Sequence, residues 1–374
     1  MKYALRYFAL LAVILGQACS DEASPTAPAL ADGAVIDEHL GRGDGPGDLT
    51  VMTQNLYVGA DVDAVITAIA TPDPDDDIPA LLTAVATVER TDFPARADAI
   101  ARKIARERPQ VVGLQEVSTL VVELPPLGVS IHQDFLQILL DALDARGLHY
   151  TPAVVGQNLV ATPAPGISLT DYDVMLVDAP RVQVLSSSAH RFSVNLGVVA
   201  PGVDLERGWV EMVAVIGGQT YTFANTHTEG TGPQELLLQL HAAQISDIVA
   251  SLGTASPAVV MGDFNSHPDS PAYQVMLGGG FTDVWAALRP GTRGYSCCQL
   301  ADLSNPRNTF VERIDYIWTR GLGEARGRHS LLGQVQLYGE VPSDRIRNSA
   351  GDRIWPSDHA GLIANIMQVR GHDR

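Results

Sequence analysis

Short apolar runs recur along this chain, and several stop abruptly on a polar tip. Residues 49–55 (LTVMTQN) alternate toward such a tip and read as a strand. Residues 110–114 read as a buried strand running into Glu116, and 258–261, 314–319 and 362–367 as later strands. Between 95 and 108, Ala97, Ile100, Ala101 and Ile104 recur at helical spacing with arginines on the other face, and Pro109 stops the helix. Helices are also predicted at 135–143 and 235–252, and further strands at 149–155, 172–177, 182–185 and 192–199. Runs 209–216 and 220–224 flank Gly217-Gly218, a two-residue hairpin signal. Residues 60–94 form an Ala-rich helical insertion broken by the acidic turn PDPDDD (72–77). Strands in the middle, with helices between early and late strands, predict one α/β domain of packed mixed sheets.

The polar tips carry the chemistry. They are TQNLY (53–57), GLQEV (113–117), NTHTE (225–229), GDFNS (262–266), RIDYI (313–317) and SDHAG (357–361). Each supplies an Asn, Glu, Asp or His, the side chains that hold a hard cation and move a proton. Hydrolysis of a phosphoester needs a cation for the phosphoryl oxygens, a base for water and help for the leaving oxygen. Taken singly, Asn55 fits a strand-end cap, Glu116 a solvated acid, and Asp315 a surface partner of Arg313. Six such tips in one order fit one site. His227 and His359 stand beside acids or amides, and neither lies in an HExxH pattern, which argues against a zinc protease. His132, His149, His190, His241, His267 and His329 lack a partner pattern and read as structural or exposed. No GxSxG occurs, so a serine-esterase elbow is excluded.

In this order NLY, GLQEV, NTH, GDFN, ID and SDH resemble the endonuclease/exonuclease/phosphatase superfamily, over roughly residues 49–369. The resemblance implies a four-layer α/β sandwich, two packed mixed sheets flanked by helices, with the site at one edge. It implies that Asn55, Glu116 and Asp358 serve a metal, Mg²⁺ or Mn²⁺, with Glu116 the main ligand. Asp263 would orient or deprotonate the attacking water, and Asn265 would bind the scissile phosphate. His227 and His359 would contact phosphate oxygens or assist the leaving group. Asp315 would orient His359, and Asp171, which opens DYDVMLV (171–177), would support His227.

Composition narrows the partners. The net charge is −18, which argues against general nucleic-acid affinity. Residues 289–374 hold twelve Lys/Arg against nine Asp/Glu, so a phosphate could meet local positive potential there. The substrate stays open among three. Nucleic acid would need a basic groove, which only Arg289, Arg293, Arg307, Arg313 and Arg320 offer. A phospholipid headgroup would call for an exposed aromatic hairpin, and an inositol phosphate for further basic residues. A non-catalytic binding protein on the same fold is the rival from another class. A monomer is expected.

The N-terminus reads as an export signal. Lys2 and Arg6 precede an apolar run from Phe8 to Leu15, too short for a typical span, and Gly16-Gln17-Ala18-Cys19 follows. Cys19 after Ala18 resembles a lipoprotein box, with Gly16 where Leu is preferred. Residues 1–18 are therefore a signal peptide and 19–48, rich in Ala, Pro, Gly and Asp, a flexible tether. The product would be a bacterial lipoprotein on the cell envelope, anchored through lipidated Cys19, or a secreted protein. Beyond Cys19 only the adjacent Cys297 and Cys298 remain, as a vicinal disulfide or two thiols, and without CxxC spacing no zinc site is expected.

Overall fold

The computed structural model describes residues 48–71, 75–230, 232–322 and 331–367. The signal peptide, Cys19, most of the tether, His329 and the last residues of the expected domain lie outside them. Elements are numbered along the chain. The larger sheet has ten strands. Eight lie side by side: β15 (Gly333–Tyr338), β18 (Gly361–Ile366), β1 (Leu49–Asn55), β2 (Val111–Gln115), β6 (Ile167–Asp178), β5 (Tyr150–Ala164), β9 (Val203–Leu205) and β8 (Gly197–Ala200). The hairpin β3 (Thr119–Leu124) and β4 (Val129–Asp134) joins through β6. The smaller sheet runs β13 (Thr282–Asp283), β14 (Asp315–Arg320), β12 (Ala258–Asp263), β11 (Gln219–His227), β10 (Gly208–Ile216) and β7 (Val182–Arg191). A separate ribbon pairs β16 (Ile346–Arg347) with β17 (Arg353–Ile354).

Alternation along the strands explains the layers. In β1, Leu49 and Val51 face the second sheet, where Val259, Met261 and Ile317 meet them in one core. Met52 turns the other way, onto α3 (Phe93–Glu107) and α4 (Phe135–Asp144), through Phe93, Ile100, Phe135 and Leu139. On the far side, Ala258, Val260 and Trp318 pack on α5 (Gln234–Leu252) and α6 (Pro271–Gly278). The order helix, sheet, sheet, helix is the four-layer sandwich. Each fully buried aliphatic side chain in it is worth about 1.5–3 kcal/mol. The insertion forms α1 (Val62–Ala70) and α2 (Asp77–Thr91), which close a third core over β3, β5, β6 and β9. A short α7 (Val284–Leu288) follows β13.

Four differences from the sequence reading have physical causes. Strand β5 runs for 15 residues despite Pro152 and Pro163, because its pairing with β6 shifts register at 152/154 and 161/164. The predicted 192–199 strand is only β8, from Gly197; Phe192 caps a core instead. The hairpin β3–β4, α6, α7 and β15 were not foreseen. Finally, Arg96 is not on the solvent face of α3. It is fully buried, and its guanidinium donates to the carbonyls of Leu56, Tyr57 (3.0 Å) and Thr91 (2.8 Å). One arginine therefore fastens the segment after β1 to the base of the insertion.

Candidate active site

Strand pairing gathers the polar tips. β1 and β2 run parallel and end together at Asn55 and Gln115, while β11 and β12 run parallel and end together at His227 and Asp263. Asp263 also lies opposite Asp315, the first residue of β14. Below these ends the two sheets are tied by Asn225. Its amide donates to the carbonyls of Leu114 (2.9 Å) and Val174 (3.2 Å) and accepts from Gln115 Nε2. Gly113 permits that approach: a Cβ there would lie 2.6 Å from Asn225 Oδ1. Gly262, at φ +140°, would press a Cβ to 2.0 Å from the Thr226 carbonyl oxygen.

Three residues at the tips adopt left-handed backbone conformations: Tyr57 (φ 59°), Glu116 (φ 53°) and Asn265 (φ 43°). Asn tolerates this region, but for Tyr and Glu it costs about 1–2 kcal/mol each. Local hydrogen bonds hold the geometry. Glu116 accepts from Val58 N–H (2.9 Å) and from Asn55 Nδ2 (3.0 Å), and Asn55 Oδ1 takes Tyr57 N–H (2.9 Å). Asn265 N–H donates to Asp263 Oδ1 (2.9 Å), and its side-chain amide to the Thr228 carbonyl (3.1 Å).

Asp263 is the hub. It is buried, and its Oδ2 meets Asn55 Nδ2 at 3.2 Å, His227 Nε2 at 3.6 Å and His359 Nδ1 at 3.6 Å. Burial raises its pKa to about 7; His359 opposes that rise and Asp315 adds to it. Asp358 is also raised to about 7, by burial, with Glu116 adding repulsion against the pull of His359.

The two histidines have different neighbours. His359 Nδ1 lies 3.0 Å from Asp315 Oδ2. Burial works against its charge, but Asp315, Asp358 and Asp263 together hold its pKa well above the usual value. His227 Nδ1 faces a guanidinium instead: Arg207 lies 2.9 Å away. Burial, then Arg207, pushes the His227 pKa well below normal. Since Arg207 can only donate, His227 Nδ1 accepts, and the ring proton is on Nε2, toward Asp263. Asp171 therefore reaches His227 through Arg207. It is 3.9 Å from that guanidinium and accepts from Ser118 Oγ at 3.1 Å. The Asp173 carboxylate takes the His227 backbone N–H at 3.0 Å.

Glu116, Asp171, Arg207, His227, Asp263, Asn265, Asp358 and His359 all line one cavity of about 380 Å³. Asn55 and Asp315 stand behind this lining, bonded to Asp263 and His359. A sequence profile of the Endonuclease/Exonuclease/phosphatase family matches residues 52–359. The chain belongs to this family. Members of the family are divalent-metal-dependent phosphoester hydrolases.

Solved structures share the fold. A family member from Bacteroides vulgatus aligns over 86% of this chain and 99% of its own, with 19% identity and a TM-score of 0.53. One from Beutenbergia cavernae aligns over 86% and 72%, with 18% identity and a TM-score of 0.56. A humanized D. rerio TDP2 aligns over 86% and 99%, with 18% identity and a TM-score of 0.51. No curated protein matches the chain by sequence.

The donor set suits the metal chemistry of the family. Glu116 and Asp358 present carboxylate oxygens to one cavity and repel each other there, the arrangement a hard divalent cation relieves. Asp263, Asp315 and His359 also bring ligand atoms within 4.8 Å of one another. In that trio, however, the His359 Nδ1 is hydrogen-bonded to Asp315 and lies 3.6 Å from Asp263, which favours a proton over a metal. Cys297 and Cys298 lie beside His359, with the Cys298 sulfur 3.9 Å from His359 Nε2.

Four of the five arginines considered for a nucleic-acid groove have other partners. Arg313 is buried on Asp283 (2.6 Å), Arg320 donates to the carbonyls of Ala255 and Gly279, and Arg289 to that of Val335. Arg293 stacks over Tyr295. Of the described residues lining the cavity, only Arg207 is an Arg or Lys. The other histidines are placed as expected where described. His241 is buried against Ser266, while His132, His149 and His267 are exposed and His190 stacks on Trp209.

Proposed function

We propose that this chain is an exported, divalent-cation-dependent phosphoester hydrolase that splits a P–O bond with water. The observation that carries the reading is the Asp263 carboxylate, met by Asn55, His227 and His359 in a cavity that also holds Glu116 and Asp358.

Mg²⁺ or Mn²⁺, held by Glu116 and Asp358, would neutralise charge on the phosphoryl oxygens. Asn55 spaces the carboxylates: its amide bridges Glu116 and Asp263. Asp263, with a pKa about 7, is suited to orient a water and accept its proton as oxygen attacks phosphorus. His227 keeps its proton on Nε2 and donates a hydrogen bond to a phosphoryl oxygen. His359, held as imidazolium by Asp315, gives a proton to the departing alkoxide. Asn265 offers its side chain to the phosphate from the cavity wall. The proton that leaves water thus ends on Asp263, and the one that caps the alcohol comes from His359.

The test uses the purified chain with Mg²⁺ or Mn²⁺ and bis-p-nitrophenyl phosphate, plasmid DNA, sphingomyelin and inositol phosphates. Wild type should cut at least one, and Asp263→Ala and His359→Ala should each lose about 10²–10⁴-fold, the usual worth of general acid–base help. If nothing is cut, the chain is a binding protein on a hydrolase fold; if wild type cuts and both variants match it, Asp263 and His359 do not carry the cleavage. The export reading stands on the N-terminal sequence, and Cys19→Ala should release the protein from membranes. Unchanged fractionation would remove the lipid anchor from the account.

A further inference from the structure

The insertion builds more than a wall. Beside the cavity that holds the carboxylates lies a second one of about 80 Å³. The two share Val58, Ala60, Val62, Ile66 and Leu169, so they meet along one apolar partition. Every described residue around the second cavity is aliphatic or proline, from α1 and α2 and from β3, β5, β6 and β9. Leu159 and Leu205 add to the apolar lining of the first cavity, which also holds Asp263 and His359. The chamber's own walls are partly open, since Val62, Val65, Ile69, Leu81 and Ala84 are only half-buried. Ile78 and Leu82, one turn apart on α2, are exposed at 64% and 39%.

We propose that this chamber is a subsite for an aliphatic chain carried by the phosphoester. The inference rests on the hydrolase reading above and names its substrate class. The alternatives fail on chemistry. A sugar or inositol ring would bury hydroxyls against a wall with no partner for them, at a cost of about 1–3 kcal/mol per group. A nucleobase would meet neither an aromatic face nor a polar edge there. A hydrocarbon chain loses nothing and gains the burial of each methylene. The volume is about half that of an apolar cavity known to hold benzene, so it takes a few carbons. A soluble short-chain amphiphile and a membrane lipid present this same chemistry.

The experiment measures the full chain with Mg²⁺ on p-nitrophenyl alkyl phosphodiesters whose alkyl group runs from methyl to octyl. Binding of the matching alkylphosphonates is measured in parallel by calorimetry. The expected result is a rise of two- to fourfold in kcat/KM and in affinity per methylene over the first few carbons, then a plateau. Fourfold is the worth of one fully buried methylene. Ala84→Phe, which fills the chamber, should flatten both series, and the wild-type slope stands as the readout if that variant does not fold. Flat wild-type series overturn the inference while leaving the hydrolase intact. Binding that climbs with chain length without turnover supports the chamber and overturns the hydrolase. Dihexanoyl phosphatidylcholine below its micellar concentration and phosphatidylcholine vesicles complete the test. Cutting of either supports the inference, and the preferred one assigns the tail to a soluble amphiphile or a bilayer.

Discussion

His227 and His359 both approach one carboxylate, each 3.6 Å from Asp263 Oδ2, yet their surroundings push them to opposite charge states. His359 has Asp315 on its Nδ1 and Asp358 next in the chain. His227 has Arg207 on its Nδ1. Both rings are buried, so burial alone cannot separate them. The sign of the charge behind each ring does. The difference shows how one pocket can hold a proton donor for a leaving group and a neutral hydrogen-bond donor for a phosphate at the same pH. Arg207 is itself balanced, with burial opposing its charge and Glu229, Asp171 and Asp173 outweighing burial.

The largest break in this comparison is Arg207→Met. It leaves Asp171 and Asp173 buried without their cation, and should cost about 3–5 kcal/mol in urea unfolding at pH 8. Their folded pKa values are already raised, that of Asp171 to about 7, and would rise further, so the pH-dependent part of the loss opens as pH climbs through about 7 and is absent at pH 5, where both chains hold these carboxyls protonated in the fold. A variant as stable as wild type at pH 8 would mean that the ring faces no such balance. Next is Asp315→Asn, which removes the strongest support for the His359 proton. The alkaline limb of kcat/KM should move to lower pH, and activity at pH 8 should fall about a hundredfold, within the range for acid–base help. An unmoved limb would take the acid role from His359.

Smaller effects come from the cation. Asp263 and Asp358 have folded pKa values of about 7 against an ordinary 3.8. Stability they contribute is full below the unfolded value and is lost as pH rises toward 7, because the charged forms are disfavoured in the fold. Mg²⁺ at a hundredfold excess over its dissociation constant should return about 2–3 kcal/mol at pH 8, and less at pH 5, where protons compete. Equal stabilisation at both pH values would argue that the carboxylates do not hold the metal. Least is Arg207→Lys. It keeps a cation near His227 but not the fork, and should lower kcat/KM by roughly tenfold with little change in KM. A change confined to KM would assign Arg207 to substrate binding.

Much of this could be read from the chain. The polar tips were visible because each follows an apolar strand, and parallel pairing of β1 with β2 and of β11 with β12 is what brings them together. Arg207 was missed, since in DLERGW it resembles any surface arginine before a strand. A signal existed, however. The Gly217-Gly218 turn sets Ile216 opposite Gln219, and the same register carried down the hairpin pairs Trp209 with Thr226. Arg207 then falls beside His227. Arg96 was misplaced for a different reason: a helical period separates faces but does not say that a loop will deliver bare carbonyls to an arginine on the inner one. The apolar chamber depends on β5 and β6 extending beyond the sheet, and prolines in β5 hid that extension until register shifts were seen to absorb them.

The most direct measurement is nitrogen-15 NMR of the imidazole groups in the histidine-labelled chain, with Asp315→Asn and Arg207→Lys used for assignment. At pH 7, His359 should show two protonated ring nitrogens and His227 one protonated Nε2 and one bare Nδ1. Two rings that titrate together near 6.5 would contradict the opposite charge states on which the account rests.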